Sequence, residues 1–128
     1  MTTSDEEVID LLHEFCGAFA EQDRARLQAV FAEGNVCFVA SDGLALHDRP
    51  HLDDYFDRYA AEPVSYAFEW DACQVSADER SGWIVAFGRE IRHEGEEESK
   101  FPVRMTLGCT HIDDGWRIAH LHASKPTG

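Results

Sequence analysis

Positive charge is scarce in this chain. Eleven lysines and arginines face 25 aspartates and glutamates over 128 residues, a formal charge of −14. Such a surface repels phosphate backbones and anionic membranes, which argues against nucleic acid or membrane partners. Long apolar runs are missing too, and no stretch approaches the ~20 residues a membrane-spanning helix needs. The opening MTTSDEEV has no basic segment followed by an apolar run, so no signal peptide and a cytoplasmic location are expected. Cysteine is sparse and dispersed. Cys16, Cys37, Cys73 and Cys109 form no CxxC pair, and each sits in an apolar stretch, as a small buried hydrophobe rather than part of a disulfide framework. There is no glycine-rich phosphate loop, nucleophile elbow or Ser-His-Asp signature. The acidic run at 94–98, EGEEE, lacks the alternating ligands of a calcium loop and reads as an exposed hairpin tip.

What the chain does have is ordered patterning over one domain, 1–128. Ser4 with Glu7 three residues later reads as a capping box. Val8, Leu11, Leu12, Phe15 and Phe19 then keep helical spacing up to Gln22 and Asp23. A second short helix is expected over 24–32, ended by Gly34. A strand follows at 36–40, a turn at Ser41-Asp42-Gly43 and a returning strand at 44–47. Pro50 suits the first turn of a third helix, with Leu52, Tyr55, Phe56 and Tyr59 on one face and Pro63 closing it. From Val64 the period changes to two, giving long antiparallel strands at 64–76, 82–93, 100–112 and 116–124. Helices first and a run of strands afterwards is an α+β order. His47 and His51, interrupted by Pro50, read as surface or cap residues.

The most informative stretch is 101–126, FPVRMTLGCTHIDDGWRIAHLHASKP. Strict alternation puts Arg104 and Thr106 on one face of its first strand, and Trp116, Ile118, His120, His122 and Ser124 on one face of its second. A guanidinium and two imidazoles on sheet faces need something to receive them, which suggests a polar-lined pocket.

The order of elements resembles the nuclear-transport-factor-2-like superfamily, a curved antiparallel sheet wrapped around helices into a cone with a pocket. The run from Trp116 to Ser124 followed by Pro126 resembles the closing strand of its SnoaL-like families, as does Arg104-Met105-Thr106 on the preceding strand. That closing strand is also similar to the association domain of calcium/calmodulin-dependent kinase II. The resemblance implies either a cofactor-independent enzyme or a non-catalytic assembly domain, because the fold hosts both. The ketosteroid isomerase set is not matched: Phe15 stands at its tyrosine position, Val39 at its base position, and Gly108 near its late aspartate. Limonene-type epoxide hydrolysis lacks its second carboxylate, since the neighbour two residues on from Arg104 is Thr106. Scytalone-type dehydration is matched only in having two imidazoles.

Three readings of His120 and His122 stand side by side: proton transfer or ligand contact, a two-ligand share of a metal site, and a structural pair within the sheet or at a dimer interface. Arg104 is either a pocket group gripping a carboxylate or enolate, or a member of an ion pair. The expectation carried forward is a homodimer with no metal and no cofactor. It acts on a small, largely apolar, oxygenated molecule as a lyase, isomerase or cyclase, with a ligand-binding or assembly domain as the alternative. Arg104, His120 and His122 are the candidate catalytic residues. Phe15, Tyr55, Phe68, Trp70 and Thr106 are the candidate substrate-binding residues.

Overall fold

The computed structural model describes residues 3–40, 43–113 and 115–126. Helix α1 (Ser4–Ala20) is opened by a capping box one residue earlier than expected. Thr3 is extended, its hydroxyl accepts the Glu6 N–H at 3.1 Å, and the Glu6 carboxylate accepts the Thr3 N–H at 3.4 Å. Ser4 is already helical, so the hydroxyl outside the first turn does the capping. Val8, Leu11, Leu12, Phe15 and Phe19 are buried along one face. The chain then turns through Gln22 in the left-handed region (φ 53°). The Gln22 amide lies 2.8, 2.9 and 3.2 Å from the carbonyls of Tyr59, Glu62 and Val64, tying this turn to the end of the third helix.

Helix α2 (Arg24–Val30) is shorter than its pattern suggested, because the sheet captures its last residues. Phe31 bridges to Ile118, and the Ala32 N–H donates to the Ile118 carbonyl at 2.9 Å. The carbonyls left over at this helix end are met by Arg49, whose guanidinium donates to Gln28, Phe31 and Ala32. Short strands β1 (Cys37–Val39) and β2 (Ala45–Leu46) follow. Ser41 and Asp42 of the expected turn between them lie outside the described residues. Helix α3 (Arg49–Ala60) has Pro50 in its first turn and Asp48 as its cap, accepting the His51 N–H at 2.9 Å. His51 therefore serves the cap, and its ring Nδ1 also meets the Asp48 carboxylate at 2.8 Å.

Strands β3 (Val64–Ala77), β4 (Ser81–Glu94), β5 (Glu97–Ile112) and β6 (Gly115–Ser124) form an antiparallel meander. Asp114 of the expected β5–β6 turn lies outside the described residues. The acidic run sits at the exposed β4–β5 turn, where Gly95 takes φ +61°. The sheet is six-stranded in the order β2-β1-β6-β5-β4-β3, and β1 runs parallel to β6, so it is mixed rather than purely antiparallel. Phe15, Phe31, Phe56, Leu52, Ile84, Met105 and Ile118 fill one continuous core between the helices and one sheet face.

Two bulges set which side chains face that core. In β3 the register slips between Trp70 and Ala72, opposite Gly88, where a side chain would run into the Glu69 carbonyl. In β6 it slips between Ile118 and His120: Cys109 pairs with Ile118, and Gly108 with His120, leaving Ala119 extra. The second bulge overturns the expected face of β6. Trp116 and Ile118 are buried before it, Leu121 is buried after it, and His120 and His122 are exposed. One inserted residue shifts the alternation by one, which exchanges the faces for the rest of the strand. The four thiols also divide: Cys16 and Cys109 are buried, Cys37 is half-buried, and Cys73, expected in the core, is exposed on the edge strand β3.

Candidate functional site

A cavity of about 200 Å³ lies between the helices and the inner face of the sheet. Its walls are mainly rings: Phe15 and Phe19 from α1, Phe38 from β1, Tyr55 from α3, and Tyr66 and Phe68 from β3. Val103, Met105, Leu121 and Ala123 close it from β5 and β6. A more open vestibule of about 430 Å³ shares Tyr55 and Tyr66 with it and is bounded by Leu44, Arg58, Tyr59, Glu62 and Val64.

The rings are held by packing and by one buried hydroxyl. Phe19 stacks on Tyr59 at 4.2 Å between centroids, and Phe68 stacks on Trp70 at 5.4 Å. The Tyr59 hydroxyl donates to the Phe19 carbonyl at 2.7 Å and accepts the Tyr66 N–H at 3.0 Å. It thus joins α1, α3 and β3 beside the vestibule. Burial pushes the Tyr59 phenol up, since the phenolate would be poorly solvated there. The Cys16 thiol is pushed up to about 12 by burial, so it is held protonated and inert.

Among the described residues two charged side chains line the cavity, Glu90 and Lys125. Glu90 stands on β4 directly opposite Phe68, and its side chain is 17% exposed. Its Oε2 meets Lys125 Nζ at 3.2 Å, and the same ammonium lies 4.6 Å from the centre of the Phe101 ring. Lys125 comes from just beyond β6, and its side chain is 43% exposed. Neither residue is among those expected from the sequence. Glu90 was legible, because alternation from Ile84 and Ala86 puts it on the inner face of β4. Lys125 was not, because the bulge at Ala119 reverses the parity of everything after it.

The expected site divides in two. Phe15, Tyr55 and Phe68 line the cavity, and Trp70 backs it through Phe68. Arg104, Thr106, His120 and His122 lie on the opposite face of the sheet. The inner positions of β5 are taken by Val103, Met105 and Leu107, and those of β6 beyond the bulge by Leu121 and Ala123. Thr106 pairs with His122, Arg104 with Ser124, and His120 with Gly108 and Cys37. Arg104 has no ion pair among the described residues and no place in the cavity. Val39 and Gly108 also face outward, paired with His122 and His120. The inward residues here are Phe38 on β1 and Ala40 just past its end, neither of which can accept a proton. Among the described residues no three His, Cys, Asp or Glu side chains gather as metal ligands, and no described helix is long and apolar enough to cross a membrane.

A SnoaL-like domain model matches residues 8–128. The chain belongs to the SnoaL-like family. Solved structures agree at the level of fold. A candidate dehydratase of the NTF2-like family from Streptomyces avermitilis superposes with a TM-score of 0.87 at 18% identity, covering 97% of this chain and 96% of that one. A candidate aromatic ring hydroxylase from Novosphingobium aromaticivorans gives 0.83 at 14% identity, covering 97% and 90%. A candidate scytalone dehydratase from the same organism gives 0.82 at 8% identity, covering 95% and 83%. No curated protein sequence matches the chain. At these identities the likeness carries the α+β, nuclear-transport-factor-2-like fold and no particular activity.

Proposed function

We propose that the aromatic cavity binds a small, largely apolar, oxygen-bearing molecule, and that this SnoaL-like protein acts on it without a cofactor, as a lyase, isomerase or cyclase. One observation carries the reading: among the described residues a cavity walled by rings holds one carboxylate, Glu90, whose only ion-pair partner there is Lys125. Apolar walls with a few placed polar groups are the usual make-up of a ligand site. The proton acceptor available in the cavity is Glu90, with Lys125 balancing its charge in surroundings that solvate a carboxylate poorly. In this reading Glu90 takes a proton from carbon beside a carbonyl, the electron pair moves onto oxygen, and the proton returns to a different atom or expels a leaving group. Arg104 and the histidine pair are given no part in it.

The test is proton exchange. Small cyclic ketones incubated with the protein in D₂O should exchange their α-protons faster than in buffer, and Glu90→Gln should abolish the gain. No acceleration by the wild-type protein would overturn the catalytic reading and leave the ligand-binding alternative.

A second proposal concerns assembly. Trp83 and Phe87 on the outer face of β4 are 45% and 40% exposed, with Val85 between them and Thr106, His122 and Val39 in line across the neighbouring strands. This strip carries no carboxylate, on a chain with 25 of them. A second copy of the same face fits it, giving a homodimer with the histidine pair at the interface. The four free cysteines suit a reducing compartment, hence the cytoplasm.

A further inference from the structure

The charges in the cavity wall are arranged as a bound ammonium would arrange them. Lys125 Nζ sits 3.2 Å from Glu90 Oε2 and 4.6 Å from the centre of the Phe101 ring, so one cation satisfies a carboxylate and an aromatic face together. We infer that the ligand of this cavity carries a protonated amine, and that its ammonium takes the position Lys125 now holds. The inference rests on reading the cavity as a ligand site, and it adds the ligand's charge.

The two halves of the ion pair are not equally fixed. Glu90 stands mid-strand on β4, laddered on both sides to Phe68 and Phe101, and is mostly buried. Lys125 lies past the last ladder pair of β6, between Arg104 and Ser124, and is nearly half exposed. Releasing Lys125 to water costs little, because an exposed ammonium is well solvated. Leaving Glu90 without a partner among rings costs more. A cation entering the cavity therefore replaces Lys125, whereas an anion meets the fixed carboxylate. A neutral ligand gains from neither. The charge of −14 favours the approach of cations as well. Glu90 Oε1, which no described donor holds, stays available for the proton transfer proposed above.

The probes are three single-ring compounds of one shape: benzylamine, benzyl alcohol and benzoate, titrated calorimetrically at pH 7 and 150 mM salt. Benzylammonium is expected to bind at least tenfold more tightly than the alcohol, with benzoate weakest. Lys125→Met removes the internal competitor and should raise benzylamine affinity several-fold while leaving the alcohol unchanged. Glu90→Gln should erase the preference. Glu97→Gln removes the same unit of charge at an exposed site and should preserve it, which separates the cavity carboxylate from the general field. Melting curves of each variant report whether it is folded. Equal binding of amine and alcohol, or a Lys125→Met variant with unchanged or weaker amine binding, overturns the inference and leaves the ligand-site reading standing. Failure of all three probes to bind overturns both.

Discussion

Phe68 and Glu90 are directly opposed on neighbouring strands, a ring and a carboxylate facing the same cavity. Nothing in ordinary core packing places a carboxylate there, since charged groups are almost never buried unless paired. The partner is supplied from outside the sheet by Lys125.

That arrangement predicts unequal costs for the two halves of the pair. Glu90→Leu should be nearly neutral or slightly stabilising, because it extends an apolar wall and leaves only a solvated lysine behind. Lys125→Ala strands a mostly buried carboxylate and should cost about 1–2 kcal/mol. Urea denaturation of both variants checks the order.

The Tyr59 hydroxyl should contribute to stability separately from its ring. Tyr59→Phe removes the bonds to the Phe19 carbonyl and the Tyr66 N–H while keeping the stack on Phe19. A loss of roughly 1–2 kcal/mol is expected, because the half-buried Tyr66 N–H loses its acceptor, while the Phe19 carbonyl keeps the Gln22 N–H at 3.2 Å. Thermal melts at pH 7 measure it.

Buried acids that ionise only with difficulty set the alkaline limit. The Cys16 and Cys109 thiols are raised by burial from 9.0 to about 12, and the Tyr59 phenol is raised as well. A group with a raised folded pKa contributes stability that is full below its unfolded pKa and lost as pH rises through the folded value. Stability should therefore fall progressively from pH 9 to about 12. The Cys16→Ala variant should show a shallower fall. At pH 8 a thiol reagent should label exposed Cys73 first, and should reach Cys16 and Cys109 only on unfolding.

The outer strip of Trp83 and Phe87 predicts self-association. Sedimentation at micromolar protein and moderate salt, which screens the repulsion between acidic chains, should show a dimer. Trp83→Asp together with Phe87→Asp should give a folded monomer. A monomeric wild-type protein under the same conditions would contradict the assembly proposal.

Much of the fold was legible because it rests on periodicity. The apolar spacing of α1 and α3 and the change to period two at Val64 mark helices and long strands within a few residues of their ends. What escaped were features set by tertiary pairing. The end of α2 is decided by Ile118 and Arg49, both distant in sequence. The parallel pairing of β1 with β6 has no local signature. The site suffered most from the bulge at Ala119. Strict alternation from Trp116 carries His120 and His122 inward, and the extra residue sends them out while turning Leu121 and Ala123 into the cavity. The inward placement of Phe15, Tyr55 and Phe68 in the cavity wall was legible because no bulge lies between those residues and the patterns that place them.

The central claim is that ligands enter the ring-walled cavity and not the histidine face. NMR of methyl-labelled protein titrated with acetophenone to ~10 mM, enough to detect even millimolar affinity, tests it directly. Saturable shifts are expected at the Met105, Leu121 and Ala123 methyls, with those of Val39 and Val85 unmoved. Shifts confined to Val39 and Val85, or none at all, would contradict it.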